Sequence, residues 1–340
     1  MSTAASRKLP RRAAGRATPD DARKLKSVLK TGFCYSAFDL NIRSFLALPE
    51  LPAQRFRTED VLIERASLTL PKRLSVNYQF RDYLLKINPT KALLYWKNEA
   101  SIEVSMGKHI RVDAVKTLDP EILRHLIVGP ALSILLEQKG YLVFHAAALA
   151  KNREVILLVG ASGNGKSTLA FAFHQKGYRF ISDNMVVINA KKNYRVYQGL
   201  NQIKLWPDAI SHFSLPQKKM TLVETDSTKR YLHLKHKPLN SPLLLKKIYT
   251  LSRAKKVSVG TLTKQSALTQ LIRHSYGTLG LKKNANLSDH FLSLAKLAHR
   301  FPISQLKRGN SLSHLDTVID TVENDLRSHP KTLLSKRDGL

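Results

Sequence analysis

The sequence predicts a mixed α/β (α+β) fold in which a smaller β-rich module precedes a larger domain built around one glycine-rich loop. Three observations predict it. Short apolar runs bounded by turn residues fill the chain from residue 31 to about residue 118. Helical spacing of apolar residues then begins at Asp119. Further on, the apolar run "VILLV" leads directly into "GASGNGKS" and a helical segment, the strand–loop–helix order of a P-loop. The implied organisation is a basic arm over 1–30, the β-rich module over 31–118, the P-loop domain over 119–328 and a loose tail over 329–340.

The first thirty residues are rich in Lys and Arg and have no apolar segment behind them. They read as a disordered arm and not as a secretory signal. In the module, "DVLIER", "RDYLLKI", "ALLYW" and "ASIEVSM" read as strands, the last two joined by the turn-like "KNE". Pro49 and Pro52 keep "LALPELP" extended or turning. Cys34, the one cysteine, has no activating base in "GFCYSAF" and reads as a structural thiol.

In the following segment Asp119 can cap a helix with Pro120 at its first position. Gly129-Pro130 should break or kink that helix, and Gly140 should end it. Tyr141 to Ala150 and Val155 to Val159 then read as a hairpin around "KNRE". Beyond Asn184, "MVVIN" and "YRVYQ" read as strands, and "LKKIYTLSR" with "KVSVGTLT" as a strand pair. "SALTQLIRHSY", "LSDHFLSLAKLAHRF" and "SLSHLDTVIDTVENDLRSH" read as helices, the last two opening on serine caps.

The chemistry lies in Gly160, Ala161, Ser162, Gly163, Asn164, Gly165, Lys166, Ser167 and Thr168. Glycines let successive backbone N–H groups turn inward around phosphate oxygens, at a helix N-terminus of partial positive charge. Lys166 should reach the β- and γ-phosphates, and the Ser167 hydroxyl should bind Mg²⁺.

A P-loop alone means only nucleotide binding, so its companions matter. "YRFIS" after Gly177 reads as a strand reached by a right-handed crossover, hence parallel to "VILLV". Both strands then finish on one edge, which brings Asp183 beside the loop. An Asp at a strand end can also simply cap a turn. If the hairpin turn centres between Asn152 and Arg153, His145 falls opposite Gly160 within a residue or two. A histidine in an apolar strand is ordinarily a core residue, and only this register makes it a site candidate.

The order histidine, strand, "GASGNGKS", helix, glycine, "SDN" resembles the catalytic core of HPr kinase/phosphorylase. "HAAA" and "GKSTLA" are closer still to divergent HPr-kinase-like proteins. "AFDLNIRSFLALPELP", "IKLWPDAI" and "PLLLKKIYTLSR" carry the resemblance outward, over roughly Tyr35 to Leu326. It implies a P-loop serine kinase using ATP and Mg²⁺, with Asp183 as the general base and His145 as the family histidine. The second aspartate of that family, which helps hold the metal, is Asn184 here. The acidic residue that HPr kinase carries just after its P-loop serine is absent from Ser167-Thr168-Leu169, which points away from HPr as substrate.

The function expected from these residues is transfer of the γ-phosphoryl group of ATP to a hydroxyl, that of a serine in a peptide or protein. Asp183 follows Lys166 by only 17 residues and no Asp-Glu pair follows, which disfavours motor ATPases. Two alternatives stay open: a nucleotide-binding regulator without catalysis, motivated by Asn184, and a basic nucleic-acid-associated ATP-binding protein. The second has the charge, 56 Lys+Arg against 25 Asp+Glu and a net +31, but no nucleic-acid-binding signature. An acceptor peptide or protein, acidic for charge reasons, is the expected partner; an oligomer is compatible. No apolar run reaches membrane length, and the expected location is the cytoplasm.

Overall fold

Val155 to Val159 are five consecutive apolar residues, and all are buried. A strand can be apolar on both faces only where both faces are covered. That requirement organises the computed structural model, which describes residues 32–69, 78–79, 83–222, 228–234, 239, 241–276 and 287–328. The basic arm and the loose tail lie outside the described residues, as do Arg81 and Asp82 of "RDYLLKI".

The first sheet holds β1 (Phe33–Ala37), β2 (Leu40–Ser44), β3 (Val61–Arg65), β4 (Tyr78–Gln79), β5 (Leu84–Ile87), β6 (Lys91–Trp96), β7 (Ala100–Ser105) and β8 (His109–Ala114). Their order is β1-β2-β3-β8-β7-β6-β5-β4, antiparallel except where β3 meets β2 and β8. Burial alternates along β2 and β6, so one face of this sheet looks into a core.

The covering helix begins as the sequence predicts. The Asp119 carboxylate accepts the Glu121 N–H, and Pro120 opens α1 (Pro120–Leu126). Gly129-Pro130 does not break the helix. The chain widens into a π turn, Ile127–Ala131, and continues as α2 (Leu132–Gln138), closed by Gly140 at φ +81°. A proline lacks the N–H and crowds the turn before it, and a wider turn relieves both problems. These helices share the first sheet's core with Val143, Met185, Val187 and Leu200.

The remaining elements are β9 (Leu142–Phe144), β10 (Ala146–Lys151), β11 (Glu154–Val159), α3 (Lys166–Gln175), β12 (Arg179–Ser182), β13 (Val186–Asn189), β14 (Arg195–Val196), β15 (Gln202–Leu205), α4 (Pro207–His212), β16 (Thr221–Leu222), β17 (Arg230–His233), β18 (Leu243–Arg253), β19 (Ser258–Thr261), α5 (Lys264–His274), α6 (Leu287–Arg300), β20 (Ile303–Arg308) and α7 (Leu315–Ser328). The second sheet runs β12-β10-β11-β18-β14-β13-β9, with β20 added beside β18 and β19 beside β20. Helices α5 and α6 cover one face; α3, α7 and the small sheet β15-β17-β16 cover the other. Both faces of β11 are thereby buried. Among the described residues no helix is long and apolar enough to cross a membrane.

Three expectations change. Tyr141 to Ala150 is not one strand: β9 pairs with β13 and β10 with β11, and the break falls at His145, whose N–H goes to His274 O at 2.9 Å. "LKKIYTLSR" and "KVSVGTLT" form strands that do not pair with each other, because β20 lies between them. Ser288 lies inside α6, which begins at Leu287, while Ser311 caps a short 3-10 turn leading into α7.

Candidate active site

The hairpin loop between β10 and β11 is Asn152-Arg153, both at positive φ, so Lys151 pairs with Glu154 and Ala146 with Val159. His145 is therefore one step beyond the ladder, level with Gly160. On its other edge β10 pairs antiparallel with β12, which makes β12 parallel to β11 with one strand between them. Strands β18 and β20 are parallel to β11 as well. Four parallel strands thus end on one edge, and the residues at or just past their ends converge there: Gly160, Asp183, Arg253 and Arg308.

The glycine-rich loop is fastened from two of those ends. Arg253 Nη2 donates to Gly163 O at 2.8 Å, and Arg308 Nε donates to Asn164 O at 2.7 Å. The Asn164 amide donates to Leu251 O at 2.9 Å, so this side chain is turned to β18. Lys166 Nζ donates to Gly160 O at 2.7 Å and Ala161 O at 3.2 Å. The loop borders a cavity of about 680 Å³ at the N-terminus of α3. Pockets of roughly 300–1,000 Å³ are typical for small ligands.

Ser162, Gly163, Gly165, Lys166, Ser167 and Thr168 line this cavity, together with His145, Asp183 and Asn184. Sequence reasoning missed the rest of its charge. Lys204, Lys229, Arg253 and Arg308 join Lys166 around it, against the carboxylates of Asp183 and Asp208. Such a surplus suits a polyanion. The Lys229 ammonium sits 4.3 Å above the ring of Trp206 at the same cavity. A basic residue closing each apolar run, "TLSR" and "QLKR", was the one signal available for the two arginines.

Asp183 is 3 % exposed and is hydrogen-bonded to the Ser167 hydroxyl and to the Lys204 N–H, the latter at 3.3 Å. Burial raises its pKa, against the lowering pull of Ser167, the Lys204 N–H and the Lys166 ammonium. Burial in turn lowers the pKa of Lys166, and Asp183 offsets this. Burial, then Lys166, His274, Lys204 and Lys229, pushes His145 down to about 4, so its imidazole is neutral at pH 7. It stacks on Tyr276 with ring centroids 6.1 Å apart. Asn184 takes a left-handed backbone, φ +71°, which asparagine tolerates better than most residues.

Among the described residues no cluster of three or more His, Cys, Asp or Glu forms a ready cage for a metal. The oxygens present (the Ser167 hydroxyl, the Asp183 carboxylate and the Asn184 amide) are hard donors beside the glycine-rich loop. Mg²⁺ usually takes one or two protein oxygens and completes its shell with phosphate and water, so this donor set fits it.

No protein-family model and no curated protein matches the chain. Among solved structures, the chain is similar to the Hpr(Ser) kinase/phosphatase from Coxiella burnetii, with 11% identity and a TM-score of 0.26 over 56% of this chain and 99% of that one. A score this low does not show a shared fold.

Proposed function

We propose that the chain is an ATP-dependent kinase that transfers the γ-phosphoryl group to a hydroxyl, that of a serine in a peptide or protein. The observation that carries this reading is Asp183: a buried carboxylate hydrogen-bonded to the P-loop serine, on the wall of a cationic cavity. Phosphoryl transfer asks the protein for positioning, charge neutralisation and a place for one proton. The loop N–H groups and Lys166 hold the β- and γ-phosphates, and Arg253 and Arg308 keep the loop in shape. Mg²⁺, held at Ser167 with Asn184 beside it, would neutralise phosphate charge when bound. As the acceptor oxygen bonds to the γ-phosphorus, the bond from that phosphorus to the bridging oxygen breaks and ADP leaves with the electron pair. The hydroxyl proton passes to Asp183, whose raised pKa suits it to accept one. Neutral His145 can donate an N–H to a phosphate oxygen.

The test uses γ-labelled ATP with seryl peptides and two variants. Lys166→Ala should abolish the melting shift given by Mg·ATP. Asp183→Asn should keep that shift while transfer falls by roughly 10²–10⁴. Loss of ATP binding in Asp183→Asn, with Lys166→Ala unaffected, would overturn both assignments. Asn184 favours one second reading, a nucleotide-binding regulator without catalysis: such a protein binds Mg·ATP and labels no acceptor.

A further inference from the structure

A second cavity of about 310 Å³ opens between the first sheet and the π-turned helix, and it shares Asn184 and Lys204 with the phosphate cavity. Its floor is apolar, with Leu85 and Ile134, and Tyr83, His125 and Tyr276 add aromatic walls. Among the described residues that line it, Glu137 brings the one carboxyl and Lys204 the one ammonium. The Glu137 carboxyl lines this space, and its Oε1 is sealed from solvent with no hydrogen-bond partner among the described residues. Tyr276 lines this second cavity and touches two residues of the first, Asn184 and His145. Its hydroxyl donates to Asn184 O at 3.3 Å, and its pKa is raised by burial and by the nearby charges of Asp183, Tyr83 and Glu137.

A carboxyl oxygen buried without a partner is costly, and a cation that reaches the carboxyl offsets the cost. Aromatic walls beside a carboxylate are also the surroundings that hold ammonium and guanidinium groups. We infer that this second cavity anchors the phosphoryl acceptor, and that the acceptor carries a cationic amine or guanidinium for Glu137 close to the hydroxyl presented at Asp183. The inference rests on the kinase reading above. It runs against the global charge: a chain of net +31 repels basic ligands in general and attracts acidic ones, so a preference for a basic acceptor has to come from a local group.

The test, run at about pH 9 so that the Glu137 carboxyl is ionised, compares acetylated, amidated peptides that hold one serine and one arginine, lysine, norleucine or glutamate at each neighbouring position. Ethanolamine against ethylene glycol forms a small-molecule arm. The wild type should favour the arginine or lysine peptides over norleucine by about 10- to 100-fold in kcat/KM, the range of a charge-assisted hydrogen bond. In Glu137→Gln, which preserves shape, that ratio should fall to about one, with the Mg·ATP melting shift reporting that the variant is folded. Preference for ethanolamine without peptide labelling would assign the same chemistry to a small acceptor. Equal use of arginine and norleucine, a preference for glutamate, or a basic preference that survives Glu137→Gln overturns the inference while leaving the kinase reading intact. If nothing is labelled, the kinase reading fails, and anisotropy binding of the same peptides decides the pocket. Arginine-selective binding lost in Glu137→Gln supports it; unselective binding or none overturns it.

Discussion

Arg308 occupies space that only a glycine leaves open: a β-carbon on Gly165 would meet its Nη2 at 2.6 Å and its Cζ at 2.8 Å. Gly165 is also at φ +81°, where side chains are strained. Gly165→Ala should cost roughly 1–3 kcal/mol from backbone strain alone. It should also displace the guanidinium from Asn164 O, loosening the loop. Differential scanning fluorimetry should show a lower Tm and a smaller Mg·ATP shift than in the wild type. Arg308→Lys, which loses the planar fork, should show the weaker ATP response without the backbone strain.

His145 titrates near 4 because burial and the Lys166 ammonium oppose its cation. A triphosphate in the cavity reverses the local charge, so bound Mg·ATP should raise the pKa of this imidazole. By linkage, ATP affinity then increases as pH falls through the raised value. NMR titration of His145 with and without Mg·ATP checks this. Lys166→Met alone should also raise it in the free protein. An unmoved resonance would place the nucleotide away from His145.

On the proposed kinase reading, the Asn184 amide would offer a metal an oxygen without charge. A working kinase of this kind should need more Mg²⁺ than one with two aspartates, and Asn184→Asp should lower that requirement. Losing one supporting group at a metal costs about 10–100-fold in affinity or activity, which sets the expected change. The readout is transfer rate against Mg²⁺ concentration. Saturation at low Mg²⁺, unimproved by Asn184→Asp, would show that position 184 does not limit the metal site.

Glu137 should leave a mark on stability. Burial pushes its carboxyl up to about 8 from an ordinary 4.5. The groups lining the same cavity are Tyr83 just before β5, His125 from α1, Lys204 from β15 and Tyr276 after α5. His125 is itself held down to about 4 by burial and then Lys204, and so is neutral. A carboxyl with a raised folded pKa stabilises fully below its unfolded pKa and loses that contribution as pH rises through the folded value. The wild type should therefore lose stability between about pH 5 and 8 relative to Glu137→Gln, and the variant should be the more stable at pH 8. Urea midpoints at the two pH values measure it.

Much of the site is legible in the chain's local patterns. The P-loop residues follow one such pattern, and "VILLV", a helix and "YRFIS" can close only as a crossover that brings Asp183 to the loop's edge. The level of His145 comes from counting back along a hairpin with a two-residue turn, and the ladder ends where the count places it. Asp119, Pro120 and Gly140 bound their helix as their backbone chemistry requires.

Other features were decided only by tertiary structure. Arg308 enters the site because β20 pairs parallel with β18 and displaces the expected partner β19, a choice among strands some fifty residues apart. Lys204 and Lys229 arrive from the small sheet and its flank, and Glu137 lines a cavity from the helix that follows the π turn. Local pattern was enough to bring the glycine-rich loop, Asp183 and His145 together, since short-range backbone geometry places them. The tertiary structure decided which cations surround that loop and which carboxyl stands behind it, because long-range strand pairing and layer packing are set by the burial of whole faces and not by any local pattern.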